Sequence, residues 1–137
     1  MLGKRKIRKF AFELLFGYQF NNDESANEYY NVAYDNFLCE DDENESVKSL
    51  FLGVCDNISE IDEKISQYIT GWKIERLSKT TVSILRISTY EMMFMELAPA
   101  ISINEAVELA KQYAEDGVPS FINGVLNNLA KGLKNNA

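Results

Sequence analysis

The stretch KRKIRKFAFELLFGYQF, residues 4 to 20, decides how the rest of the chain is read. Ile7, Phe10, Ala11, Leu14, Leu15 and Tyr18 follow one another at steps of three, one, three, one and three residues. That spacing returns side chains to one face of a helix, whereas a half-buried strand would alternate at every second residue. The segment is therefore an amphipathic α-helix with one apolar stripe. On the same wheel Arg5, Lys6 and Lys9 point well away from the stripe, and Lys4 and Arg8 lie toward its edge. The basic residues are expected along the exposed side of the first turns.

The same rule carries along the chain. Asn21, Asn22 and Asp23 end the first helix, and Ser25 to Glu28 has the form of a capping box. There a serine hydroxyl and a glutamate three residues on satisfy free N–H groups at a helix start. A second helix is expected to about residue 38, then a polar loop EDDENES at 40 to 46. A third helix is expected from Val47 to Ile69, with Leu50, Phe51, Val54, Ile58, Ile61, Ile65 and Ile69 inward. Gly71 breaks it, and WKIERLS at 72 to 78 reads as a short helical turn.

A long helix follows over KTTVSILRISTYEMMFMEL, with Val82, Leu85, Tyr90, Met93 and Leu97 inward and Pro99 as its stop. Ser102 to Glu105 is a second capping-box pattern, leading into Ala106, Val107, Leu109, Ala110 and Tyr113. The turn EDGVP opens the last helix, where Val118, Phe121, Ile122, Val125, Leu126 and Leu129 repeat the spacing of the first. No segment alternates as a strand. The reading is all-α, six or seven helices around one core, with residues 1–137 as a single domain.

Composition narrows the chemistry. The chain has 137 residues with 21 Asp and Glu, 14 Lys and Arg, and no histidine, for a net charge of −7. Without histidine there is no Ser-His-Asp or Cys-His arrangement. Neither a phosphate-binding GxxxxGK[ST] nor a GxGxxG is present. Cys39 and Cys55 match no metal spacing and read as plain thiols. The acidic run Glu40, Asp41, Asp42, Glu43 and Glu45 lacks the alternation and central glycine of an EF-hand, and reads as a solvated loop. No catalytic residue, cofactor or metal is expected. A basic start before an apolar stretch mimics a signal peptide, but Glu13 interrupts it and no cleavage site follows. No apolar run reaches membrane-spanning length. The expected location is the cytoplasm.

Charge is unevenly spread. Five of the 14 positive charges, Lys4, Arg5, Lys6, Arg8 and Lys9, fall within six residues. From Asp23 to Glu63 there are 13 acidic residues and one basic one, Lys48. Such a patch attracts phosphate backbones while the remaining surface repels them. The bland alternative is a solvated basic terminus. Cations sit badly at a helix N-terminus, which already carries partial positive charge. That conflict favours a ligand.

Several blocks in order then point to a family. LRISTYE at 85 to 91, Pro99, INEAVELAK at 103 to 111 and FINGVLNNLAK at 121 to 131 follow the R..AFELLFGYQF that begins at Arg8. Together with WKIERLS, they closely resemble the bacterial NusB antitermination family. The resemblance implies an all-helical RNA-binding protein without catalytic activity. Its members pair with the ribosomal protein NusE, and the pair binds boxA-type RNA in ribosomal RNA leaders. They join other Nus factors on RNA polymerase, and some form homodimers that cover the RNA surface.

The family's basic motif falls on Lys4, Arg5, Lys6, Arg8 and Lys9, which would neutralise phosphates. Phe121 matches the aromatic of the family's FVNG block and would stack on an unpaired base. Tyr68 matches a further aromatic. Packing is the competing role for both. Glu105 reads as the cap partner of Ser102, and Gly124 as a site of close helix approach; Asn123 carries no assignment. The chain departs from the family at Ser120, where a cation is frequent, and at Thr80, where an acid is frequent. The first departure leaves the loop before Phe121 without a cation. An adaptor that binds protein and not specific RNA is the alternative reading. A fragment of a ribosomal RNA methyltransferase is a third, disfavoured because no cofactor-binding domain follows.

Overall fold

The computed structural model describes residues 4–20, 24–34, 41–71 and 73–135. Among them are seven α-helices, one short 3-10 helix and no strand, so the all-α reading holds. The chain divides into two compact units, Met1–Asp56 and Asn57–Ala137.

The first unit holds α1 (Lys4–Tyr18), α2 (Ala26–Tyr34) and α3 (Asp41–Asp56). α1 lies on α3, and α2 packs against both. The Glu28 N–H donates to Ser25 Oγ at 3.2 Å, so the first capping pattern opens a helix as expected. Phe51 is fully buried at the centre of an aromatic cluster, with the rings of Tyr18, Tyr29 and Tyr30 at 5.8, 6.2 and 6.4 Å. Gly17 makes part of this possible, since a Cβ there would collide with the Tyr29 hydroxyl.

Two expectations change in this unit. Residues 41–46 are the first turns of α3 and not a loop. Acidic residues are favoured beside the positive end of a helix dipole, and Asp41, Asp42 and Glu43 stand there in sequence. The long third helix is also two helices. It breaks at Asn57, whose φ of −117° and ψ of 19° are not helical. Asparagine competes for backbone hydrogen bonds and favours such breaks. The break is silent in the pattern because Val54, Ile58, Ile61 and Ile65 stay in helical step across it.

Tyr18 supplies a pH dependence. Its hydroxyl donates to the Glu24 carbonyl at 2.9 Å. Burial raises its pKa, and Cys55 and the carboxylates of Glu24 and Glu28 push the same way. Burial and then Glu24 raise Tyr29 likewise. A phenol with a raised folded pKa holds its proton more tightly when folded. Its stabilising share is complete below the unfolded value of 10.0 and is lost as pH climbs through the folded one. An ultraviolet titration should show Tyr18 and Tyr29 ionising above the usual phenol range, together with loss of helicity. Tyr18→Phe should remove one late step.

The second unit contains α4 (Ile58–Ser66), the 3-10 helix Ile74–Arg76, α5 (Lys79–Phe94), α6 (Pro99–Tyr113) and α7 (Val118–Asn135). Helix α5 is central, with α4, α6 and α7 all packed on it. Ser78 caps it, accepting the Thr81 N–H at 3.1 Å. Arg86 on α5 grips Asp62 on α4 with both arms of its guanidinium, Nε to Oδ1 and Nη2 to Oδ2, each at 2.8 Å.

A central helix has no solvent stripe, and this corrects the inward set. Val82 and Leu85 are buried as expected, but so are Ser83, Ser88, Thr89 and Glu91. Tyr90 and Met93 are half-buried. The helix ends at Phe94, before Leu97. Glu96 closes it in the left-handed region at φ 52°, and the Leu97 N–H bonds back to the Glu91 carbonyl at 3.1 Å.

The second capping box does not form. Pro99 sits at the start of α6, and Ser102 lies inside the helix, fully buried. Its hydroxyl is 2.7 Å from Ser88 Oγ and 3.0 Å from Glu91 Oε1. Proline fits a first helical position because the N–H it lacks has no intrahelical partner there. The helix thus starts three residues before the serine.

Candidate nucleic-acid interface

The sequence-derived site residues fall in both units. In the first, helix α1 begins at Lys4, Arg5 and Lys6 are exposed, and Lys9 is half-buried. Arg5 and Lys9 are four residues apart, so they are neighbours on one face with Lys6 beside them. Arg8 departs from the expectation. It is 5% exposed and engaged within the protein. The buried set of α1 is Ala11, Phe12, Leu14 and Leu15, whereas Ile7, Phe10 and Tyr18 are only half-buried. The inward face is therefore turned toward Phe12, and Arg8, one helical turn before Phe12, turns in with it. Arg5, Lys6 and Lys9 remain outward.

In the second unit, Ile122, Val125, Leu126 and Leu129 form the buried stripe of α7. Val118 and Phe121, at the start of that stripe, stay half-buried and line a cavity of about 420 Å³. The other walls are Arg76 and Leu77 after the 3-10 turn, Ser78, Thr80 and Thr81 at the head of α5, and Tyr113, Ala114 and Glu115 at the tail of α6. The chain turns from α6 into α7 at Gly117, whose φ is +89°. A Cβ at Gly117 would meet nothing within 4 Å, so glycine is needed for the backbone angle and not for space. The Phe121 N–H then donates to the Gly117 carbonyl at 3.1 Å.

Tyr68 is half-buried, with its ring tip against Gly132 of α7, where any Cβ would overlap the Tyr68 hydroxyl. Gly132 and Phe121 are eleven residues apart, which on an α-helix is about 16 Å along one face. Tyr68 and Phe121 thus bracket one side of α7. The close-approach glycine of this helix is Gly132, whereas Gly124 is exposed with open space around it. Asn123 takes part in an exposed pair: Asn127 Nδ2 donates to its carbonyl at 2.8 Å and to its Oδ1 at 3.2 Å.

Arg76 is the residue that sequence reasoning missed. The loop EDGVPS brings no cation to Phe121, but Arg76 reaches the same cavity from a segment 45 residues earlier. Its only linear signal was its place in the WKIERLS block. Thr80 is half-buried in the same wall. Among the described residues no group of His, Cys, Asp and Glu is arranged to hold a metal ion, and Cys55 is in no disulfide. No helix of the described residues is long and apolar enough to cross a membrane. Cys39 and Glu40 lie outside the described residues.

Comparison with known proteins agrees with this architecture. The NusB family model matches residues 5–131. The transcription antitermination protein NusB of Clostridium novyi (strain NT) is 42% identical over 137 residues, covering 95% of this chain and 99% of the relative. The T. maritima NusB structure superposes with a TM-score of 0.86 at 30% identity, covering 95% of this chain and 92% of that one. A structure of the antitermination factors NusB and NusE in complex with double-stranded RNA gives a TM-score of 0.82 at 27% identity, covering 94% and 96%. With the family model spanning nearly the whole chain and the helices superposing along almost their full length, this chain belongs to the NusB family.

Proposed function

We propose that this chain is a transcription antitermination factor that binds boxA-type single-stranded RNA together with the ribosomal protein NusE, supporting ribosomal RNA transcription. Its family membership and the NusB–NusE–RNA complex among its structural neighbours support the reading. The observation on this chain that carries it is the outward cationic face of Arg5, Lys6 and Lys9 on a chain of net charge −7.

The physical logic is one of contrast. Phosphates are drawn to the head of α1, with Lys4 extending the basic run in sequence, and are repelled by most of the remaining chain. Arg8, being buried, serves the packing of α1 more than it serves RNA. Phe121 offers a half-exposed ring to an unpaired base, and Tyr68 is a second aromatic farther along the same side of α7. The protein works by binding alone, in the cytoplasm and with no catalytic step, and residues 1–137 act as one functional domain. Other Nus factors and RNA polymerase complete the assembly.

Fluorescence anisotropy tests this with a boxA-type strand and a scrambled control, with and without NusE, over a salt series. The expected signal prefers boxA, strengthens with NusE and weakens with salt. Partner binding with equal affinity for both strands would instead establish the adaptor reading.

A further inference from the structure

We propose that the corner where α5 hands over to α6 is a docking surface for a partner protein, taking a short amphipathic segment that carries lysine or arginine beside its apolar residues. It is a further interaction surface, and it does not rest on the RNA-binding reading above.

Exposed apolar surface is concentrated at this corner. Among the described residues five large apolar side chains are exposed, and three of them, Phe94, Met95 and Ile101, stand within eight residues of one another. Ala98, Pro99 and Ala100 between them are exposed as well. The fold brings both sides together. Ser102 Oγ donates to Glu91 Oε1 at 3.0 Å, which holds Ile101, just before Ser102, at the end of α5. Phe94 and Met95 follow Glu91 there by about one turn. Apolar residues scattered singly on a surface are ordinary, whereas a contiguous patch marks an interaction site. Aromatic and methionine side chains are among those that interfaces favour.

The corner is held in shape before any partner arrives. The rings of Tyr90 and Phe94 stack at 5.3 Å. The Leu97 N–H donates to the Glu91 carbonyl at 3.1 Å, and the Ile101 N–H to the Ala98 carbonyl at 3.0 Å. A surface ordered in advance costs less to bind.

Charge decides the occupant. From Ile87 to Ala110 there are four glutamates and no lysine or arginine. Glu91 is buried in the Ser102 network, while Glu96 and Glu108 are exposed. Glu108 is seven residues after Ile101, two turns along the same face of α6. Lys111 reaches Glu108 at 3.4 Å, but an exposed pair of this kind contributes little and is readily exchanged. RNA and anionic lipid carry the wrong sign for such a rim. A second copy would bring the same glutamates, on a chain of net charge −7. A protein segment with basic residues beside apolar ones complements both the patch and its rim.

The test is a peptide selection on the full chain. The probe is a displayed library of short amphipathic peptides of varied charge, first depleted on the double variant Met95→Ser with Ile101→Ser, then selected on wild type. Both side chains are exposed, so serine is compatible with the fold, and matched thermal melts check this. Recovered peptides should carry net positive charge and bind wild type roughly 10- to 30-fold more tightly than the double variant, the scale of a central interface residue. Their binding should weaken with salt, and less steeply once Glu96→Gln removes a rim charge. The double variant should bind boxA-type RNA and NusE as wild type does.

Recovered peptides that are neutral or acidic would overturn the proposal, as would the recovery of none. So would dimerisation of wild type that the double variant abolishes, since the occupant would then be a second copy. Weaker RNA or NusE binding by the double variant would overturn it too, by giving the corner to an interaction already proposed. The RNA-binding reading fails separately, if wild type itself does not prefer boxA to the scrambled strand.

Discussion

A variant carrying Arg5→Ala, Lys6→Ala and Lys9→Ala binds boxA-type RNA about 100-fold more weakly than wild type in about 0.1 M salt, with a salt slope shallower by about 2. The size follows from counterion release. Each phosphate neutralised on a single strand contributes about 0.7 to the slope, and the electrostatic part fades toward about 1 M salt. Three contacts over one decade of salt give about two decades of affinity. Arg8 is left in place because it is buried, so its removal would report on packing. The three cations stand at the positive end of the α1 dipole, where they disfavour the helix. The variant should therefore melt no lower than wild type, which separates loss of binding from loss of fold. Equal affinity and equal slope would remove RNA from the function of this face.

Ser102→Val lowers stability by about 3 kcal/mol, read as a shift in urea midpoint, with the melting temperature down by about 10 °C. Ser102 is fully buried, Ser88 is 1% exposed and Glu91 is 3% exposed. One hydroxyl proton serves Ser102, so the consistent network has Ser88 Oγ donating to Ser102 Oγ and Ser102 Oγ donating to Glu91 Oε1. Valine is close in shape but deletes both links. Ser88 loses an acceptor and a buried carboxylate oxygen loses a donor, and an unmet need of that kind costs the group's desolvation. The double variant Ser102→Val with Glu91→Gln should lose less than the two single losses combined, because the second change acts on a bond already gone. A loss below about 0.5 kcal/mol for Ser102→Val would mean that the network contributes nothing.

The helices and their order were written in the sequence wherever the environment is one-sided. α7 is the clearest case: Ile122, Val125, Leu126 and Leu129 are buried as their spacing requires, and Phe121 and Val118 leave the core where the stripe runs out. The local start signal at Ser25 is equally legible, because a cap needs only residues three positions apart. The concentration of positive charge at the first helix is also a property of the chain alone, and so are the ordered blocks that carry the family.

Other features are decided only when helices meet. A periodic pattern gives the width of an apolar stripe but not its rotation, and the partners of α1 turned Arg8 inward. α5 has neighbours on three sides, so serine, threonine and glutamate enter its core: Ser88 and Glu91 meet Ser102 of α6, a partner that no linear pattern shows, whereas Thr89 Oγ1 is buried without one. The same Ser-x-x-Glu spacing caps a helix at Ser25 and is buried mid-helix at Ser102, because Pro99 had already started that helix. The cation beside Phe121 comes from Arg76, 45 residues away in sequence. Sequence by itself determined the helical fold, the family and the charged face, since each depends on near neighbours along the chain. Tertiary structure alone decided which cations face outward and which residues share the Phe121 cavity, since both depend on surfaces that exist only once the helices pack.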